Sequence, residues 1–475
     1  VHQAFLLQQQ WWHNATSDVR GVGRHHEEMV KFGARQVLDL FSPSNYLATN
    51  PVLLRRTLEC GGRNLVDGWQ HLLEDWERSV SGKRPAGSEA FRVGHEVAAT
   101  PGKVVYRNRL IELIQYEATT ETVRPEPLLI VPAWIMKYYI LDLSARNSLV
   151  RYLAGQGFTV FIVSWKNPGA AERDIGFDDY RRDGVMAALD AISAIVPDRP
   201  VHAMGYCLGG TLLAIAAAAM ARDGDHRLRS LTLLAAQADF SEAGELMLFI
   251  DESQVAFLED MMWEQGFLDA KQMAGAFQML RSNDLVWSLG LHRYLMGERE
   301  ALTDLMAWNA DATRLPYRMH SEYLRHLFLD NDLAEGRHLA GGRPVMLADI
   351  RVPVFAVGTV WDHVAPWRST YKIHHLVDGP VTFVLASGGH NAGIVSEIDR
   401  PGLFHPVLDH GAGDRHLDPD TWQATAPRHD GSWWTTYAAW LAARSGAPVP
   451  PPPIGNAAAG YGVLGDAPGT YVLEE

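Results

Sequence analysis

The stretch that most constrains this chain is 199–219, RPVHAMGYCLGGTLLAIAAAA. Pro200 breaks whatever precedes it. Residues 201–205 are short, apolar and bounded by turn formers, which predicts a buried strand. Residues 208–219 are too long and too rich in Ala and Leu for a strand and predict a buried helix. Between them stands Gly205-Tyr206-Cys207-Leu208-Gly209-Gly210, of the form Gly-x-nucleophile-x-Gly with cysteine in the central place. A nucleophile on so sharp a strand-to-helix turn takes a strained backbone conformation. Side chains two residues to either side would strike the neighbouring strand and helix, so glycine is required at 205 and 209. Gly210 lets the helix lie closer still to the strand. The turn also puts Cys207 at a helix N-terminus, where N–H groups favour a thiolate.

Further short apolar runs at 110–116, 128–132, 160–165, 231–235, 354–358 and 381–385 read as strands. Most are separated by segments long enough for helices, such as 147–155 and 178–196. Strands alternating with helices predict an α/β fold, a mostly parallel sheet with helices on both faces. The alternation stops between 238 and 347. That region holds the helical stretches MMWEQGFLDAKQMAGAFQMLR and MHSEYLRHLFLD and no convincing strand. It reads as a helical lid inserted into the sheet domain.

Ahead of the sheet, FLLQQQWWHN has no obvious partner, and 26–41 and 51–79 show helical periodicity. In the second, Leu53, Leu54, Leu58, Leu65, Trp69, Leu72, Leu73 and Trp76 form a broad apolar stripe. It reads either as a cap packed on the main domain or as a surface for a partner or an apolar particle. Cys60 falls in this helix and is read as structural. The expected organisation is an N-terminal helical region (1–88), a core in two parts (89–237 and 348–445), the lid (238–347) and a Pro-rich tail (446–475). The tail, with PVPPPP and then small residues, predicts a polyproline-like extension and a loosely specified end.

Composition excludes several classes. A formal net charge of −14 offers no nucleic-acid surface. Two cysteines make no disulfide framework and fit a reducing cytoplasm. No apolar run approaches the ~20 residues of a membrane span, so no transmembrane segment is expected. No signal peptide is visible, although the chain opens at Val1. The histidines show no HExxH or Cys/His ligand spacing, and neither a Walker loop nor a dinucleotide fingerprint occurs, so no metal or cofactor is expected. His374 and His375 read as a solvated pair on a helix.

A cysteine nucleophile needs a base, and the base an orienting group. In α/β-hydrolase folds these follow the nucleophile as acid, then histidine. Asp362 comes just after the strand 354–358. His390 lies in SGGHNAG, just after the strand 381–385, in a loop that its glycines free to present the imidazole. Both therefore fall at the sheet edge that carries Cys207. His363 is the rival base, but neighbouring loop residues diverge, so one of the two should miss the site. An oxyanion hole would use the backbone N–H of Leu208 and a second donor near Ala133 and Trp134, after the strand 128–132.

Taken together, FSPSNYLATNP (41–51), LLIVPAWIMKYYILDL (128–143), GYCLGG (205–210), NDLVWS (283–288), WNADATRLP (308–316), WDHVAPW (361–367), SGGHNAG (387–393) and GSWWTTYAAWLAARSG (431–446) resemble the class I polyhydroxyalkanoate synthases over nearly the whole chain. The family's catalytic cysteine, aspartate and histidine fall on Cys207, Asp362 and His390. Asn391 and Met136 depart from the pattern, standing where Ile and Asn would be expected.

The resemblance implies an acyltransferase that polymerises (R)-3-hydroxyacyl-CoA into polyester and releases CoA, with CoA as part of the substrate and no cofactor. It also implies a homodimer in the cytoplasm, at the surface of a polymer granule among granule-associated proteins. Thiol chemistry suits this reaction. Attack of Cys207 on a CoA thioester makes another thioester, so activation is kept, and His390 can then deprotonate the next substrate's 3-hydroxyl. The competing readings are an α/β-hydrolase acting as thioesterase or polyester depolymerase, and a non-catalytic granule protein. Serine is commoner in the former, and the intact trio argues against the latter.

Overall fold

The computed structural model describes residues 1–273, 275 and 283–475. They form two compact units. The larger comprises Phe91–Glu245, Ile250–Ala270 and Asp304–Glu475, and the smaller Val1–Ala90, Leu246–Phe249 and Lys271–Thr303. The stretch 238–347 thus divides between them. Among the described residues, no helix is long and apolar enough to cross a membrane.

The larger unit is built on an eleven-stranded sheet. In chain order its strands are β1 (Gly102–Arg107), β2 (Ile111–Tyr116), β3 (Leu128–Val131), β4 (Val160–Trp165), β5 (Val201–Tyr206), β6 (Leu228–Leu234), β7 (Val354–Thr359), β8 (Val381–Ala386), β9 (Phe404–His410), β10 (Arg428–Asp430) and β11 (Gly465–Asp466). They lie in the order β10-β9-β8-β7-β6-β5-β3-β4-β2-β1-β11. From β4 through β3, β5, β6 and β7 to β8 every pairing is parallel, and beyond these the edges are antiparallel. The parallel strands are buried almost throughout, as expected where helices cover both faces. Each run read as a strand is one of these or β2. The four strands not foreseen, β1, β9, β10 and β11, are all at the edges.

The helix Leu208–Asp223 follows β5 and is buried from Leu208 to Met220. A helix that is apolar all round belongs inside a core, and its run Ala216–Ala219 brings it close to the sheet.

The C-terminal tail is better specified than its composition suggested. Val449 bridges to Val123, and the Gln115 side chain donates to the Pro453 carbonyl (3.0 Å) and accepts from the Gly455 N–H (2.8 Å). The buried Glu112 carboxylate accepts from the N–H groups of Thr470 (2.9 Å) and Tyr471 (3.0 Å). Inside 238–347 two short strand pairs occur, Phe267–Leu268 with Leu315–Pro316 and Leu339–Ala340 with Arg343–Pro344, where no strand was expected. The helical stretch expected at 261–281 is interrupted: the helix Glu252–Gln265 ends where Gly266 adopts φ +83° and caps it, Phe267–Leu268 is extended, and residues 270–273 and 275 are helical again. Residues 274 and 276–281 of that expectation lie outside the described residues.

In the smaller unit, the helix expected over 51–79 is two, Pro51–Glu59 and Arg63–Val80. Gly61 (φ +60°) and Gly62 (φ +83°) break it, so Cys60 caps the first rather than lying within one. The second helix packs on the wide-turn helix Leu291–Leu295 so closely that a Cβ on Gly68 would stand 2.0 Å from the Tyr294 carbonyl oxygen. Asp75 pairs there with Arg293 and Arg299 (both 2.9 Å). The apolar stripe is largely open. Leu53 is buried, whereas Leu58, Trp69 and Trp76 are 74%, 59% and 64% exposed.

Candidate active site

Cys207 stands between the last residue of β5 and the first of the following helix, with φ +51° and ψ −124°. A non-glycine residue rarely holds this conformation, which is the strain expected of such a turn. The glycines are sterically required. A Cβ on Gly205 would come within 2.4 Å of the Gly210 Cα, and one on Gly209 within 2.1 Å of the Val131 carbonyl oxygen. One on Gly210 would meet the Ala236 Cβ at 2.5 Å. The Cys207 N–H donates to the Leu234 carbonyl (2.8 Å), which extends the β5–β6 pairing to Cys207.

Asp362 follows β7 by three residues and its side chain is fully buried. Its Oδ1 accepts from the N–H groups of Val364 (2.9 Å) and Ala365 (2.8 Å), and its Oδ2 from the Thr359 hydroxyl (2.9 Å) and His390 Nδ1 (2.8 Å). Burial pushes the carboxyl up, but His390, the Ala365 N–H and the Thr359 hydroxyl together hold it below the usual carboxylate range. His363 is exposed, so the adjacent pair diverges as expected.

His390 follows β8 by four residues and its side chain is 14% exposed. Burial lowers its basicity, yet the Asp362 carboxylate and then the Cys207 sulfur raise the imidazole well above its ordinary value. The structure therefore brings the three residues together, with Asp362 hydrogen-bonded to His390 and Cys207 close enough to act on the imidazole. The loop of His390 is not freed by its glycines but closed by them. Gly388 takes φ +122°, a Cβ there would lie 2.7 Å from the Gly393 Cα, and one on Gly393 would lie 2.5 Å from Thr359 Cγ2. The Trp361 N–H donates to the Gly388 carbonyl (2.9 Å), joining the Asp362 and His390 loops. Beneath them, in the helix Trp433–Ala442, Trp433 Nε1 donates to the Gly393 carbonyl (3.1 Å) and Trp434 Nε1 to that of Ile394 (3.0 Å).

Leu208 is the first helical residue, so its N–H has no intrahelical acceptor and lies beside Cys207. The chain after β3 passes over this helix start, as the Val131 and Pro132 carbonyls against Gly209 show. The Trp134 side chain is buried against Trp165, Phe177 and Tyr180, so only its backbone could serve an oxyanion.

Sequence reasoning did not single out Tyr206, Asn391, Asn309 or Tyr323 as site residues. The Tyr206 hydroxyl donates to Asn391 Oδ1 (2.5 Å), and Asn391 Nδ2 donates to Asn309 Oδ1 (3.4 Å). Tyr323 stacks on Phe177, and burial, with the Cys207 charge adding, raises its phenol well above the ordinary value. His374 is not solvated. Its ring lies 4.2 Å from that of Tyr371, and burial lowers it to about 4, while His375 is exposed. Among the described residues His326, Asp330 and Asp332 alone could group around a metal ion, but Asp332 already pairs with Arg337 (2.8 Å) and accepts from His326.

Comparison with known proteins agrees with this architecture. The family described as alpha/beta hydrolase fold matches residues 126–397, and that described as Poly-beta-hydroxybutyrate polymerase (PhaC) N-terminus matches residues 1–153. The chain is 43% identical to a poly(3-hydroxyalkanoate) polymerase of Methylorubrum extorquens, over 99% of this chain and 78% of that one. It is 38% identical to the poly(3-hydroxyalkanoate) polymerase subunit PhaC of Rhizobium meliloti, over 99% and 76%. It is also 38% identical to that of Cupriavidus necator, over 94% and 75%. With such identity along nearly its whole length, and a nucleophile elbow on a mostly parallel sheet, the chain belongs to the poly(3-hydroxyalkanoate) polymerases, acyltransferase-type enzymes of the α/β-hydrolase fold.

Proposed function

We propose that this protein polymerises (R)-3-hydroxyacyl-CoA through an acyl-Cys207 intermediate. The observation that carries the proposal is the line Asp362–His390–Cys207 with sulfur, not oxygen, at the elbow. The sulfur attacks the thioester carbonyl, the C–S bond to CoA breaks, and His390 returns a proton to the departing CoA thiolate. The acyl group now sits on Cys207 as a thioester. The 3-hydroxyl of a second hydroxyacyl group then attacks it. Neutral His390 takes the hydroxyl proton, the new ester forms, and Cys207 leaves as thiolate with Asp362 stabilising the imidazolium. The N–H groups of Leu208 and of the 133–134 backbone are assigned to the oxyanion.

Water must be kept from the acyl-cysteine or chains would be cut short. The bond from Asn391, beside His390, to Asn309 supports a lid role for the part of 238–347 within the larger unit. The exposed stripe with Leu58, Trp69 and Trp76 supports work at a polymer granule, as a homodimer in the cytoplasm, with polyester and granule-associated proteins as partners.

Incubation with (R)-3-hydroxybutyryl-CoA tests this. Release of CoA with insoluble polyester is the expected result. Release of CoA with free hydroxy acid would make the protein a thioesterase, and no release would make it a binding protein.

A further inference from the structure

Two hydrogen-bonding side chains flank the nucleophile and the base without belonging to the line between them. Tyr206 ends β5, one residue before Cys207, and is 2% exposed. Asn391 follows His390. The Tyr206 hydroxyl donates to Asn391 Oδ1 (2.5 Å), and the Tyr206 ring lies tilted against the His390 ring, with centroids 5.6 Å apart at 38°. The Asn391 carbonyl accepts from the N–H groups of Ile394 (3.0 Å) and Val395 (2.9 Å), which fixes its backbone. Its amide also reaches Asn309.

These contacts close a ring. Residues 206 and 207 belong to the strand end, residues 390 and 391 to the loop. Nucleophile and base meet on one side of the ring, and phenol and amide on the other. Asp362 holds one ring nitrogen of His390, but a single hydrogen bond leaves rotation about that bond free. The Tyr206 ring limits the rotation, and the Asn391 bond fixes the Tyr206 ring. The departure at 391 fits this account. Beside the isoleucine that the family resemblance led us to expect there, the buried Tyr206 hydroxyl would lack this acceptor.

We propose that Tyr206 and Asn391 are positioning residues that hold the His390 imidazole against Cys207 by clamping the loop of the base to the strand of the nucleophile. The inference rests on the roles proposed above for Cys207 and His390.

The test is a double-mutant cycle of Tyr206→Phe and Asn391→Ile, built on Cys60→Ala so that Cys207 is the sole cysteine. Two readouts are needed. With (R)-3-hydroxybutyryl-CoA, each single variant should lose about tenfold in kcat with KM changed by less than about twofold. The pH midpoint of Cys207 alkylation by iodoacetamide should rise by about half a unit in each, because the imidazolium is no longer held at the sulfur. The double variant, an apolar pair, should be no worse than either single in both measurements. Multiplying losses in the double variant would overturn the proposal. So would an unmoved alkylation midpoint in Tyr206→Phe, whatever the thermal stability. Alkylation needs no polymerisation, so it still reads the clamp if the protein makes no polyester.

Discussion

Replacing Asp362 by asparagine tests the division of labour in the site most sharply. The four groups around the carboxylate, the N–H groups of Val364 and Ala365, the Thr359 hydroxyl and His390 Nδ1, all donate to it. An asparagine must set its NH2 against some of them. The two backbone donors cannot change, so the amide oxygen faces them and the NH2 faces Thr359 and His390. The Thr359 hydroxyl can turn to accept. His390 can accept only by moving its proton to Nε2, the nitrogen that must take a proton from substrate. Restoring the working tautomer then sets two donors face to face in a buried site and forgoes a charge-assisted bond. Together these cost roughly 3–6 kcal/mol, or about 10²- to 10⁴-fold in any step that needs the base. Attack of a 3-hydroxyl needs it fully. Attack of the Cys207 sulfur on a thioester needs it less and should slow by no more than about tenfold. In a rapid-quench experiment with (R)-3-hydroxybutyryl-CoA, Asp362→Asn should therefore keep a burst of CoA near one equivalent while steady-state polymer formation collapses. A burst and a steady state lost in the same proportion would refute the reasoning and leave Asp362 serving both half-reactions equally.

Cys207→Ala should remain folded, since alanine fits the small space of the elbow, and should release no CoA. Cys207→Ser should fall by at least about 10²-fold, because an alcohol is the weaker nucleophile. Near-normal turnover in the alanine variant would remove Cys207 from the mechanism. His390→Gln should abolish acylation, as read by the mass of the denatured protein after one turnover, whereas His363→Gln, at an exposed side chain, should stay within about twofold of the parent; the reverse outcome would exchange their roles. Buried His202 and His320 are both held neutral by burial, down to about 4. The unfolded chain takes up their protons below ~6.5, so their stability contribution is present above that pH and is lost as pH falls towards 4, by at most about 3 kcal/mol each. Urea unfolding of His202→Asn against the parent at pH 7 and pH 4.5 checks this, and an unchanged difference between the two pH values would contradict it.

The elbow was legible because its code is steric and local. Gly205 and Gly209 are dictated by backbone atoms within a few residues or at the end of β3, and Gly210 by the Ala236 Cβ just after β6. Asp362 and His390 were legible because parallel strands end at the same edge, so chain order alone put them beside Cys207. The edge strands escaped because their patterns are mixed. Residues 404–410, FHPVLDH, hold one buried residue, His405, and give no apolar run. The tail escaped for another reason, since its partners Glu112 and Gln115 stand more than 330 residues away in sequence. The break after Cys60 was readable in its two glycines, yet the apolar stripe continues across it and masked the signal. The Tyr206–Asn391 bond could not be read at all. Its only trace was an asparagine where isoleucine was expected, and that says nothing of the partner.

The same geometry gives a reason for sulfur at the elbow beyond its nucleophilicity. Three influences act on His390. Burial lowers its basicity, whereas the Asp362 carboxylate raises it, as does Cys207 when it carries a charge. A protonated imidazole is what the first half-reaction needs, for it steadies the thiolate and later protonates the departing CoA. The second half-reaction needs the opposite, a neutral imidazole to accept the proton of the 3-hydroxyl. In the proposed cycle acylation itself makes the change. Once the sulfur carries an acyl group its charge is gone, one of the two raising influences disappears, and burial counts for more. Basicity then falls from its high resting value towards one that Asp362 alone supports. A serine, uncharged before and after acylation, would leave His390 much the same in both halves. In the proposed cycle the charge state of Cys207 thus sets the protonation of His390, and the elbow, the Asp362 turn and the closed His390 loop hold the two residues close together.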